Sequence, residues 1–216
     1  DRLYVVWRDR GDPDPDVTGD FPGRILLRYS EDGGQSFLPE GSEVRLDRLD
    51  DGDPQADARA PAIDCQTGGT VAVAWEDDRS GDAQIFVSVS LDGGATWSDE
   101  LRIDDTPAET GARRPAVAIG GGDPARIHVA WEDARDGRND VYVTTSEDGG
   151  TTWSAPLRLT GSPAAGDAPV EEWDLDADGS QVVLAWNDDR HGGPDVDVRD
   201  IYTVRSEDGG LSFSDE

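Results

Sequence analysis

Two short patterns in this chain place arginine and carboxylate groups where they could do chemistry. The first is Arg-x-Pro, at Arg59-Ala60-Pro61 and Arg113-Arg114-Pro115. The second is W-x-D-x-R, with Asp77 and Arg79 after Trp75, Asp133 and Arg135 after Trp131, and Asp188 and Arg190 after Trp186. A related Trp7-Arg8-Asp9-Arg10 stands near the start, and the last unit departs from the first pattern with Asp167-Ala168-Pro169. A guanidinium is a planar fork of donors that meets a carboxylate with two parallel hydrogen bonds. A carboxyl group with a raised pKa can protonate a leaving oxygen. The same residues also suit a structural ion pair at a strand end. Recurrence favours that reading, because a catalytic site is needed once per domain and a strand-end tie in every repeat.

Other groups carry weaker signals. Asp174, Asp176, Asp178 and Gly179 match the front half of a D-x-D-x-D-G calcium loop, but position twelve is Ala185 where an acidic ligand belongs. The competing reading is a hairpin with Asp178-Gly179 at its turn. The acidic stretch from Gly11 to Asp16 is read as a solvated insertion that could hold Ca²⁺. His128 in a strand and His191 in a loop make no zinc site. Cys65 excludes an internal disulfide and is expected to be a small buried residue. Trp173, after Glu171-Glu172, could touch a ligand if its strand lines a central channel.

The elements that must position these groups are strands. Each unit has an apolar first strand such as Pro115–Ile119, or in the last unit Pro169–Leu175. A Gly-containing turn follows, then a second strand ending in the Trp motif. A third strand (Ile85–Val89, Val141–Thr145, Ile201–Val204) and a short fourth (Leu101–Ile103, Leu157–Leu159) complete it. The segments are short, rich in Val, Ile, Tyr and Trp, and bounded by Gly, Asp and Pro. Near-continuous apolar runs suit strands buried on both faces, and the helical period appears nowhere.

Between third and fourth strands the chain repeats S-x-D-x-G-x-[ST]-[WF]. It reads Ser30, Asp32, Gly34, Phe37; Ser90, Asp92, Gly94, Trp97; Ser146, Asp148, Gly150, Trp153; and Ser206, Asp208, Gly210, Phe213. The serines lie 60, 56 and 60 residues apart. A repeat of that length built only of strands points to a β-propeller of four-stranded antiparallel blades. The octapeptide resembles the Asp-box (BNR repeat) of sialidases and of many secreted propeller proteins. As physics it is a staple: Gly permits positive φ, Asp accepts turn N–H groups, the hydroxyls add ties and the aromatic ring plugs the turn. No catalytic role falls on these aspartates. About four blades are expected, in units around 1–50, 51–105, 106–160 and 161–216. The first lacks its first strand and the last most of its fourth, so a segment of a longer propeller, six-bladed or more, is expected.

The Arg-x-Pro and Trp motifs are similar to the first blade of a sialidase. That resemblance implies Arg59 as the carboxylate-binding arginine, Arg79 lining the site and Asp82 as acid/base. In the next repeat the matching set is Arg113, Arg135 and Asp136 or Asp140. Sialidases use a Tyr nucleophile; Tyr142 and Tyr202 lie in third strands, without an identifiable activating Glu. Ala60 and Arg114 stand where the family has Ile, and the motifs assemble no three-blade arginine triad.

Composition narrows the partners. The chain has 216 residues, 36 Asp and 12 Glu against 19 Arg, no Lys, no Met and a formal charge of −29. Such charge excludes nucleic acid and anionic membrane surfaces. It fits a protein hydrated in high salt, or codon bias towards Arg, Asp, Gly and Ala. No apolar run reaches transmembrane length. The expectation is a secreted or cell-surface propeller acting as a non-catalytic binding or structural module, with a glycan or extracellular protein as partner. No cofactor is expected beyond a possible Ca²⁺. The alternative is a sialidase-like exo-glycosidase.

Overall fold

The computed structural model describes residues 2–10, 23–37, 43–48, 57–105, 110–161, 170–190 and 199–215. The insertion at 11–16, His191 and the Asp167–Pro169 motif lie outside them. The described residues form fourteen strands in four antiparallel sheets. Blade 1 is β1 (Leu3–Asp9), β2 (Arg24–Ser30) and β3 (Val44–Arg45). Blade 2 is β4 (Ala58–Cys65), β5 (Val71–Asp77), β6 (Gln84–Ser90) and β7 (Leu101–Arg102). Blade 3 is β8 (Ala112–Gly120), β9 (Arg126–Asp133), β10 (Asp140–Ser146) and β11 (Leu157–Arg158). Blade 4 is β12 (Trp173–Asp178), β13 (Gln181–Asp188) and β14 (Asp200–Ser206). Each is a meander, and the first strands β4, β8 and β12 pack beside one another as an innermost layer.

The period of two along each strand builds the core. Val73 and Trp75 of β5 join Phe86 against Ile25 and Leu27 of blade 1. Ala72 and Ala74, on the other face, join Ile85 and Val87 against Val117, Ile119, Trp131 and Tyr142 of blade 3. Ala130, Val141 and Val143 then meet Leu184, Trp186 and Val204 of blade 4. Both faces of a middle blade are therefore buried, which is why its strands read as unbroken apolar runs. Trp75 and Trp131 are fully enclosed.

All four boxes close alike. In the second, Gly94 N donates to Ser90 Oγ (2.8 Å), Ser90 Oγ to Asp92 Oδ1 (2.8 Å), Thr96 N to Asp92 Oδ1 (2.8 Å) and Thr96 Oγ1 to Asp92 Oδ2 (2.7 Å). The glycines at both central positions have positive φ, 75° at Gly93 and 89° at Gly94. A Cβ on Gly150 would stand 2.7 Å from Val89 Cγ2 of the preceding blade, so that box also wedges the blade interface. Hydrogen bonds from Thr96 Oγ1 and N lower the Asp92 pKa to about 2, and Asp148 is held likewise by Thr152.

Two expectations are corrected. Cys65 is exposed, because it ends β4 at the hairpin turn beyond the packing of blades 1 and 2. The last first strand begins only at Trp173, since Val170 N donates to Asn139 O of blade 3. Asp174, Asp176 and Asp178 lie along β12 in register with β13, the turn being Gly179-Ser180. Among the described residues no three metal-ligating side chains converge.

Candidate functional site at the rim of the innermost strands

The boxes and the first hairpin turns share one end of the blades, where Gly93 N donates to Gly69 O. The Arg-x-Pro and Trp motifs lie at the other end, because β4 enters where β5 leaves: Arg59 pairs in register with Glu76 and Ala58 with Asp77. Adjacent residues on β5 point to opposite faces, and this separates the two arginines expected to act together.

Arg79 turns towards blade 1. Its Nε and backbone N donate to Asp77 Oδ1, each at 2.9 Å, and its guanidinium lies 4.2 Å from the centroid of Phe86. Arg135 repeats this with Asp133 and Tyr142, and Arg190 with Asp188 and Tyr202. These are the strand-end ties, and they occupy both candidate tyrosines as stacking floors. The Tyr142 hydroxyl donates to Asp136 at 2.6 Å, and burial with this bond raises its pKa. Asp136 and Asp140 both receive Arg158. Asp82 is half-buried between β5 and β6 and engaged in a polar interaction of its own.

Arg59 faces the rim but is closed off. Its Nε donates to Glu76 Oε2 (2.8 Å) and its Nη1 to Asp78 Oδ2 (2.9 Å), with Asp57 at 3.5 Å. In blade 3 the residue matching Asp78 is Ala134. Arg113 is exposed and takes no hydrogen bond or ion pair among the described residues, feeling Glu132 only through its charge.

Between these arginines runs a crossing of three blades. Glu76 Oε1 accepts Arg114 N (2.8 Å). Arg114 Nη1 donates to Glu132 Oε1 (2.6 Å) and to Glu171 O (2.8 Å), and Trp173 Nε1 donates to Glu132 Oε1 (2.9 Å). Glu76 and Glu132 are buried, and burial raises the Glu132 pKa against the pull of Trp173 and Arg114. Ala60 and Arg114 adopt φ of 49° and 52° at a β-bulge before proline. Such strain in non-glycine residues costs about 1–3 kcal/mol each and gathers at functional sites. Here it turns Arg114 N towards Glu76.

Glu76, Glu132 and Arg114 were missed in the sequence. The available signal was the residue after each motif tryptophan, which changes from Arg8 to Glu76, Glu132 and Asn187 while Asp stays constant. Hollows of about 750 Å³ beside Arg2, Tyr4 and Cys65, and about 550 Å³ beside Leu91 and Trp97, lie among residues of the box end. Neither is lined by Arg59, Arg79 or Asp82.

The fold is that of the sialidase-like β-propellers. No family model and no curated protein matches the chain. Among solved structures, a Hadza microbial sialidase is similar over all of this chain and 44% of its own (19% identity, TM-score 0.59). An α-L-arabinofuranosidase of Fusarium graminearum is similar over 96% of this chain and 60% of its own (18% identity, TM-score 0.62). The Trypanosoma rangeli sialidase is similar over 99% and 36% (13% identity, TM-score 0.58). The chain thus spans about half the length of the first two.

Proposed function

We propose that this protein is a secreted or cell-surface propeller module that binds a carboxylate-bearing ligand, an acidic glycan, at Arg113 on the rim of blade 3 without cleaving it. The observation that carries this is the contrast between Arg59, neutralised by Glu76 and Asp78, and Arg113, left open where Ala134 replaces the aspartate. Arg114 adds a second, half-exposed guanidinium beside it. A fork with free donors in a strongly acidic protein is a selective place for an anion. Against catalysis stand the tyrosines, each lying beneath a paired arginine, and the strand-end arginines, each tied to an aspartate two residues away.

A second reading, glycoside hydrolysis, is favoured by one feature. Glu132 is a buried carboxyl with raised proton affinity next to Arg113 and Trp173, the kind of group that serves as a general acid. The arabinofuranosidase and sialidases of similar fold are glycosidases, which lends this reading weight. A glycan array together with fluorogenic sialosides and α-L-arabinofuranosides separates the two. Binding of acidic glycans without turnover, lost in Arg113→Ala, supports the module. Turnover abolished by Glu132→Gln supports the hydrolase, and neither result would sink both.

A further inference from the structure

Blades 2 and 3 hold the same arginine–glutamate pair in the same register, Arg59 opposite Glu76 and Arg113 opposite Glu132. Residues opposed in this way put their side chains on one face of the sheet. In blade 2 both glutamate oxygens are filled. Oε1 accepts Arg114 N from the next blade, and Oε2 accepts Arg59 Nε from its own first strand. In blade 3 only the first half of this is present. Glu132 Oε1 accepts Arg114 Nη1 and, from the next blade, Trp173 Nε1. Among the described residues Oε2 takes no hydrogen bond, and Arg113 gives none.

The Glu132 side chain is only 8% exposed, with Oε2 not fully sealed from solvent. A carboxylate oxygen so nearly buried ordinarily has a donor. While ionised it can only accept, so the group that fits is a hydroxyl or an ammonium. Arg114, at 2.6 Å, already balances the Glu132 charge. An ammonium would add a third cation beside Arg113 and Arg114, whereas a hydroxyl adds none. An open guanidinium and an open carboxylate oxygen on neighbouring strands therefore fit one molecule that carries a carboxylate and, close to it, a neutral hydroxyl.

We propose that the acidic sugar taken at this rim is a hexuronate, its carboxylate on Arg113 and its 4-hydroxyl donating to Glu132 Oε2. This rests on Arg113 as the anion site and names the sugar that the site selects. In a hexuronate the 4-hydroxyl stands on the ring carbon next to the one that bears the carboxylate. In a sialoside the carboxylate-bearing carbon is flanked by a methylene and two ether oxygens, none of them a donor. A sialoside bound at Arg113 would leave Glu132 Oε2 unfilled, and an unfilled, nearly buried acceptor costs affinity. Glu132 is thus the residue that sets specificity, with Trp173 and Arg114 fixing its other oxygen.

Titration calorimetry on the 216-residue chain tests this. The probes are the methyl glycosides of glucuronate and galacturonate, the 4-deoxy analogue common to both, methyl N-acetylneuraminide and glycine. The better of the two uronides should bind about 10–100-fold more tightly than the 4-deoxy analogue, and more tightly than the sialoside. Glu132→Gln should narrow the first gap and leave the affinity of the 4-deoxy analogue unchanged. The comparison of uronide with 4-deoxy analogue needs no variant, so it holds even if Glu132→Gln does not fold. Equal affinity for uronide and 4-deoxy analogue, both lost in Arg113→Ala, overturns the hexuronate and leaves Arg113 as an anion site. Tighter binding of the sialoside also overturns it, as does tighter binding of glycine, which would put an ammonium on Glu132. Uronide binding that survives Arg113→Ala, or no binding of any carboxylate, removes the anion site itself.

Discussion

Asp78 closes Arg59: its Oδ2 accepts from Arg59 Nη1 at 2.9 Å, while Glu76 takes the guanidinium Nε. One blade later the same place is Ala134, and Arg113 stands open. Putting the carboxylate back with Ala134→Asp should therefore weaken binding of acidic ligands without disturbing the fold. A charge-assisted pair contributes about 1.5–3 kcal/mol, so affinity should fall roughly 10–100-fold. Titration calorimetry with an acidic glycan from the array, beside the unchanged Tm, reads the result; retained affinity would remove Arg113 from the site.

The strand-end arginines should behave as structure. Arg190 and Asp188 are almost fully buried, and Arg190 lies 3.7 Å from the Tyr202 centroid. Burial alone would raise the Asp188 pKa, but hydrogen bonds from Arg190 and Trp186 hold it below the ordinary value. Arg190→Ala leaves that carboxylate unpaired and should cost about 3 kcal/mol. Arg190→Lys should recover only part, since the ammonium has neither fork nor stacking plane. Urea melts of both variants check this.

The boxes should resist acid. Asp92 and Asp148 titrate at about 2 in the folded chain, below the ordinary 3.8. Their stabilisation is complete above the unfolded value and disappears as pH falls through about 2. Asp92→Ala removes the acceptor for Thr96 N and both hydroxyls, so it should lower the Tm at neutral pH and lose that deficit near pH 2. Thermal melts across this range would show the convergence.

His128 predicts a step at milder pH. It is enclosed between blades 3 and 4, with Nδ1 at 2.9 Å from Thr145 Oγ1, and a Cβ added at Gly210 would stand only 2.8 Å from its ring. Burial, with Arg126 nearby, lowers its pKa from 6.5 to about 4. The unfolded chain then binds the extra proton, so stability is full above pH 6.5 and declines towards pH 4. The loss should reach about 3 kcal/mol. His128→Gln should flatten this slope, and an unchanged slope would assign it to other groups.

The blades, their boxes and their order were legible because each depends on residues close in sequence. A box is eight residues whose Ser, Asp and Gly bond one another, so Ser90 to Trp97 carries its own geometry. The Asp–Arg ties were legible for the same reason, with Asp77 and Arg79 two residues apart. Asp174 to Asp178 read either as the front of a calcium loop or as a hairpin, because alternation along a strand imitates the start of such a loop. What decides between them is pairing with β13, which lies outside the motif.

By itself the sequence determined the architecture and the turn staples. The tertiary structure decided which arginine is available. Arg59 and Arg113 sit in the same motif, and their difference arises from Asp78 and Ala134, brought beside them only when β4 pairs with β5 and β8 with β9. It also decided that Glu76 and Glu132 meet across blades through Arg114. Contacts between blades join residues dozens of positions apart, and their charge balance is set by packing that no single repeat encodes.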